Sequence, residues 1–454
     1  MQRHFAKKLK PTKHLLDRLP QLEDPQSAYQ LLRLCATPKF HYHIHTSAPF
    51  APPLHEAADK HTGALIQAAC TLFSLGDIRS KTIRQLKLPL FEGGFALTDM
   101  ARIAPAAYFG VAGLEALQWV QDLQAAYDHL VAVYPPPPQS DPLPDIRSLM
   151  LRLAGGLQSK LTHRIHQKES ASLQATLDAM RFDGHRGWAT PDGSRLQSCK
   201  GSGASAWLQA IPSCKETTLS PETFVFNAQW SLGLVKTPTT CGACHQPCDP
   251  HGDHMPKCLN GAYLTDRHNA VKATVYRICK EAHCPSVKQE QPLRDYLCPF
   301  PQTTDDKKRM DLVITQIDGS KLMVDVAGTH PTHADHPGEA KNLTNQRPGT
   351  ALRLREAEKR SKYAVACARG GFTFLPLVFE SYGRWSPTME KFLHKLGKAV
   401  KEAHFKDDRD FSTGRIVARW WILLSCAVRR EAAATVLGKS EVGPDVRPFP
   451  TDEI

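Results

Sequence analysis

The sequence has no apolar run long enough to cross a bilayer. Its longest, Ile416 to Val428, covers 13 residues and includes Arg419, whereas a helical span needs about 20. No membrane partner is therefore expected. The amino-terminal stretch MQRHFAKKLKPTKH is basic but lacks the apolar core of a secretory signal. Acidic charge is also short. Against 57 Lys and Arg there are 45 Asp and Glu, a net charge of +12, which suits a polyanionic partner better than an acidic one. No internal repeat occurs. Core-forming residues are not lacking: 41% hydrophobic and 22% charged is close to the globular average and excludes wholesale disorder. A length of 454 residues allows about three domains.

The thirteen cysteines are an odd number, and seven lie between Cys241 and Cys298. Such clustering without an export signal reads as metal binding in a reducing compartment, the cytosol or nucleus, not as a disulfide framework. Cys241-Gly-Ala-Cys244 is one chelate pair and His254-Met-Pro-Lys-Cys258 another, nine residues apart. Two short pairs joined by a loop can close a tetrahedral Zn²⁺ site of three thiolates and one imidazole. Gly242, Pro247, Pro250 and Gly252 supply the turns. Cys248, His245 and His251 are alternative ligands, so the register stays open. A closed four-ligand site would be structural, with no position left for chemistry.

The patterning divides the chain into five parts. Residues 1–134 read as helical, 135–240 as a linker and helical connector, 241–262 as the metal knuckle, 263–385 as an α/β domain and 386–454 as closing helices. The run Pro135 to Pro138 marks the first boundary, as solvated polyproline II. Phe40-His-Tyr-His-Ile-His45 alternates apolar or aromatic residues with His, which predicts a short strand with its three His on one exposed face. Met389, Phe392, Leu393, Leu396 and Val400 make one helical core stripe. Ile416, Trp420, Leu423, Leu424 and Ala427 make a second.

Carboxylates mark the candidate site. Asp318-Gly319 is a hairpin turn signal between the apolar runs Leu312 to Ile314 and Leu322 to Val324. A hairpin centred there places Asp311 opposite Asp325, with Cβ atoms about 5 Å apart. Two ionised carboxylates that close repel unless a cation lies between them, and hard oxygen ligands suit Mg²⁺, which also binds phosphate oxygens. Glu290 ends an extended segment upstream. Downstream, the charged helix from Thr350 carries Lys359, Arg360 and Lys362. Packing of that helix through Leu354, Ala357 and Val365 would bring its lysines near, Lys359 first. A cation there could neutralise phosphorane charge or orient a water. Lys307, Lys308 and Arg309 precede Asp311 and would meet phosphates.

Taken together, these residues resemble the carboxy-terminal part of non-LTR retrotransposon polyproteins that carry a restriction-like endonuclease. The parts occur in that family's order: Cys241, Cys244, His254 and Cys258; Arg267-His268-Asn269; Met310-Asp311; Asp325-Val326; Lys359-Arg-Ser-Lys362-Tyr363. Upstream, Leu88-Pro-Leu-Phe-Glu-Gly-Gly-Phe95, Ala106-Ala107-Tyr108 and Ala204-Ser-Ala-Trp207-Leu-Gln-Ala-Ile-Pro212 resemble the segment after the polymerase palm. The resemblance covers about residues 30–385, and it is the order of the motifs that makes it specific.

The resemblance implies a 5′-truncated retroelement fragment. Its fold would be α+β or α/β, with a helical thumb-like remnant, a zinc knuckle and a restriction-endonuclease-like (PD-(D/E)XK-type) domain. The implied activity is metal-dependent hydrolysis or nicking of duplex DNA in the nucleus. Zn²⁺ would be structural and Mg²⁺ catalytic, element RNA a further partner, and no small-molecule cofactor is needed. Asp311 and Asp325 would hold Mg²⁺, Glu290 would assist, Lys359 or Lys362 would stabilise charge, and Arg267 and His268 would help hold DNA. Three departures matter. The polymerase signature Tyr/Phe-Ala-Asp-Asp is missing, so no polymerase activity is expected. Met310 replaces the usual Pro. Ala327 stands two residues after the second acid, where a Lys is usual, and this is why the resemblance moves that role to the helix. A rival reading is a catalytically inactive zinc-containing nucleic-acid-binding remnant. A third, a thiol redox or other zinc enzyme, has no clear signature in the sequence.

Overall fold

Residues 316–320 close the chain's central hairpin. Gly319 adopts a left-handed φ of 79°, Gln316 N–H donates to Ser320 O at 2.9 Å, and the Asp318 carboxylate accepts from Ser320 N–H at 3.0 Å. On either side run β2 and β3 of a four-stranded sheet, which the computed structural model orders β1-β2-β3-β4. The strands are β1 (Ser286–Pro292), β2 (Arg309–Thr315), β3 (Lys321–Thr329) and β4 (Thr373–Glu380). The first three form an antiparallel meander, and β4 joins β3 in parallel. A parallel neighbour needs a crossover, and the charged helix Thr350–Arg369 supplies it. The structure describes residues 2–115, 128–129, 132–133, 157–179, 191–235, 238–260, 263–296, 308–332, 344–406 and 411–437. The run Pro135 to Pro138 and Lys307 lie outside them.

The chain forms two units, Met1–Ala179 and Met180–Ile454. The described part of the first is helical: α1 (Gln2–Arg18), α2 (Pro25–Leu31), α3 (His41–Thr46), α4 (Pro52–Leu72), α5 (Ser80–Lys87), α6 (Met100–Glu115) and α7 (Leu157–Asp178). In its core, Phe5, Phe40 and Ile44 meet Leu54, Ala58 and Met100. The strand expected at Phe40 to His45 is helix instead. Alternation over six residues also fits a short helix whose inner face takes His43 and Ile44. Both are buried, and His43 packs against Phe5 and Phe40.

In the second unit, α8 (Pro191–Ser198) and α9 (Pro221–Leu232) precede α10 (Tyr263–Glu281). The crossover helix is α11, and α12 (Pro387–His404) and α13 (Thr413–Leu437) close the described chain. The unit is thus mixed α and β. Its main core sets Leu312, Ile314, Leu322, Val324 and Val326 against α10, α12 and α13. The opposite face of the sheet, through Val313 and Met323, packs on Cys367 of α11. Both carboxy-terminal stripes are buried, with Ile416 at the margin. The register expected for α11 is corrected. It buries Ala351, Leu352 and Cys367, whereas Leu354 is half-buried, Ala357 is exposed and Val365 is 64% exposed.

Candidate metal centre and acid cluster

The thiols of Cys241, Cys244 and Cys258 and the imidazole of His254 converge, with one ligand atom of each within 4.8 Å of all the others. Local turns bring them there. Cys241 N–H donates to Gln246 O at 2.8 Å and His245 N–H to Cys241 O at 2.9 Å, folding the first pair back on itself. A helical turn, Met255–Lys257, sets the spacing of the second pair. Cys241 Sγ and Cys258 Sγ are 3.8 Å apart. That equals the edge of a tetrahedron whose metal–sulfur bonds are about 2.3 Å, the Zn–S length. Cys244 Sγ lies 3.1 Å from His254 Nε2. Burial pushes the Cys241 thiol up, but the N–H groups of Cys244 and Ala243, with the Cys244 and His254 side chains, outweigh it and bring the thiol down to about 6. The group could hold one metal ion, and three sulfurs with one imidazole fit zinc. Cys248 is outside the group. Its N–H is tied to Thr239 O, and burial, with the fields of Cys241, Asp249 and Cys244, raises its thiol.

The knuckle is fastened to the sheet by residues that the sequence did not single out. Asp253, buried beside His254, accepts from Thr332 Oγ1 at 2.7 Å and Tyr382 Oη at 2.9 Å, and meets His330 Nε2 at 3.0 Å. Lys257 donates to Thr332 O at 3.2 Å. Arg267, expected to hold DNA, belongs to this fastening. It is 4% exposed and donates to Pro256 O at 3.1 Å and Ser381 Oγ at 3.4 Å. Burial pulls its pKa down to about 10 against the field of Glu431. A guanidinium so enclosed cannot reach a phosphate, and its role as a DNA contact is corrected to a structural one.

The two acids lie where the hairpin predicts. Leu312 pairs with Val324, and Asp311 and Asp325 are the residues next to that pair on their strands. Asp311 Oδ2 accepts from Val326 N–H at 2.7 Å, and its Oδ1 lies 3.2 Å from His268 Nε2. Asp325 Oδ1 accepts from Lys359 Nζ at 3.0 Å. Its Oδ2 lies 2.9 Å from the same ammonium but has no hydrogen-bond partner. Thus a side chain of α10 holds one acid and a side chain of α11 the other. Burial pushes Asp325 above the usual carboxylate range. Lys359 and His268 oppose this, and the charge of Asp311 adds to it.

The other expected members separate. Lys362 is exposed, 5.3 Å from the Tyr363 ring centroid, and touches neither acid. Glu290 stands across from Asp311, between the pairs Gln289–Leu312 and Gln291–Met310. Its φ of 51° is left-handed, which is costly for a residue with a side chain, and its carboxylate is paired with Lys272 of α10. Lys272 was missed, although it lies four residues after His268 and so on the same helical face. Arg309 is exposed, 3.4 Å from Glu290 O. Lys308 is half-buried, and its carbonyl accepts from Leu293 N–H at 3.0 Å.

The expected Mg²⁺ site is not supported. Among the described residues the Cys/His group is the one set of three or more ligand-type side chains placed to share an ion. Asp311 and Asp325 satisfy their charge with His268, a backbone N–H and Lys359, and Glu290 turns to Lys272. No described helix is long and apolar enough to cross a membrane. The sequence matches no protein-family model, and no curated protein matches it.

Proposed function

We propose that the second unit is a restriction-like nuclease domain from a retroelement, hydrolysing or nicking duplex DNA in the nucleus and braced by a structural zinc ion. The observation that carries this reading is the opposed pair Asp311 and Asp325, with Lys359 on one acid and His268 on the other. The element order supports it: a helix, a three-stranded meander, a crossover helix and a parallel strand. So does the raised Asp325, a buried carboxylate beside a second acid, because perturbed acids of this kind collect at functional sites.

Asp311 and Asp325 would hold the ion, and Mg²⁺ there would supply charge neutralisation and a more acidic water. Lys359, already between helix and acid, places positive charge where a scissile phosphate gains negative charge. His268, 3.2 Å from Asp311 Oδ1, would orient that carboxylate. Glu290 is held back by Lys272. Arg309, exposed on β2, meets the DNA backbone.

The test is nicking of supercoiled plasmid in Mg²⁺ by the full chain and by Asp311→Ala. The parent should nick and the variant should not, while both keep zinc and bind DNA. A second reading, DNA binding without cleavage, is favoured by the engagement of the acids' oxygens inside the protein. Binding with no nicking by the parent would establish it.

A further inference from the structure

In the first unit, α3 carries two imidazoles that play no part in the proposed nuclease. His41 and His45 are one helical turn apart, so they share a face. Their ring centroids are 6.4 Å apart and the planes tilt by 57°. Two His at this spacing on a helix can each turn one nitrogen to a common ion, as in helical zinc motifs. His41 Nε2 is buried and has no hydrogen-bond partner. His45 Nε2 has a long contact, 3.5 Å, with the side-chain amide nitrogen of Gln158 at the start of α7. His43, between them in sequence, is turned into the core.

We propose that His41 and His45 form a second metal site, one that takes a borderline divalent transition ion such as Ni²⁺, Zn²⁺ or Cu²⁺. The donor set is the reason for that class. Imidazole donors with a nearby amide suit these ions, whereas Mg²⁺ and Ca²⁺ demand oxygen ligands. Water would complete the coordination, since the protein supplies two ligands. Gln158 borders the site, so a bound ion or its waters would link α3 to α7. Nothing in this depends on the nuclease assignment, and neither imidazole belongs to the Cys/His group.

The experiment uses the full chain already loaded with one equivalent of Zn²⁺, equilibrated with Ni²⁺, dialysed and analysed for both metals. One Ni²⁺ per chain is expected beside the zinc. His41→Ala and His45→Ala should each lose the nickel and keep the zinc, while Tyr42→Ala, an exposed neighbour, should keep both. His45→Gln, which can retain the contact to Gln158, guards against loss through misfolding and should also lose nickel. The proposal is overturned if the parent retains no nickel, or if the His variants retain as much as the parent.

Discussion

Asp253 and His330 meet at 3.0 Å in the interior of the second unit, one residue from the ligand His254 and one beyond the end of β3, the strand that carries Asp325. The Cys/His group and the acid cluster are therefore joined through a buried contact, which Thr332 and Tyr382 reinforce. Removing the carboxylate would take a buried hydrogen-bond partner from His330, Thr332 and Tyr382. A buried polar group left unsatisfied costs about 1–3 kcal/mol. Asp253→Ala should therefore destabilise the second unit by about that amount or more in urea unfolding. A change below about 1 kcal/mol, the scale of a single ordinary hydrogen bond, would show that the contact does not brace the sheet.

The metal group makes its own prediction. Cys244→Ser should abolish retention of zinc and lower the melting temperature, because the ion's binding energy is folding energy for so short a loop. Cys248→Ser should leave zinc content at the parent's level, since Cys248 is not part of the group. Metal analysis of the two variants decides between the ligand registers that the sequence left open. Zinc lost in Cys248→Ser and kept in Cys244→Ser would reverse the assignment.

Local features were the legible ones. The Asp318-Gly319 turn dictates its own hairpin, so the opposition of Asp311 and Asp325 followed from counting. The chelate spacing put forward the four side chains that the structure groups, with Cys248, His245 and His251 left as alternatives. What failed depended on which way a helix faces. Arg267 and His268 are adjacent, about 100° apart around a helix, so one enters the core while the other reaches Asp311. The resemblance assigned both to DNA, and motif order carries no information on which way each side chain turns. Helix α11 has charges on every side, so its buried positions could not be read, and Val365 was placed inside when it is outside. The pairing of Glu290 with Lys272 joins residues from different elements, which no local pattern encodes. The partners of Asp253 lie at residues 330, 332 and 382, far along the chain, where no local pattern points.

The lysines and arginines separate chemistry from binding. Lys359 reaches both oxygens of Asp325, whereas Lys362 reaches neither. Lys359→Ala should reduce Mg²⁺-dependent nicking by about a hundredfold or more, on the scale of losing one pre-organised charge donor. Lys362→Ala should change it little. Arg309→Ala should leave nicking of bound DNA intact but flatten the salt dependence of binding by about one unit of slope, as expected for one lost phosphate contact. Equal nicking by Lys359→Ala and Lys362→Ala would remove Lys359 from the site.

Acid should weaken the first unit through His61. The ring is 1% exposed, stacks on Phe40 with centroids 5.4 Å apart, and has Nε2 3.2 Å from Thr37 O. Burial brings its pKa down to about 4, against the Thr37 carbonyl and with the help of His41. An unfolded imidazole titrates near 6.5. The folded form therefore stays neutral over a range in which the unfolded chain takes up a proton. Stability from this group is fully present above about pH 6.5, and it is lost as pH falls toward the folded value. Between pH 7 and pH 5 the loss should be about 2 kcal/mol. His61→Gln cannot take up that proton, so its stability should fall less over the same interval, even if it starts lower at pH 7. Denaturant unfolding of both proteins at the two pH values measures the difference, and parallel losses would show that His61 is not the group that titrates.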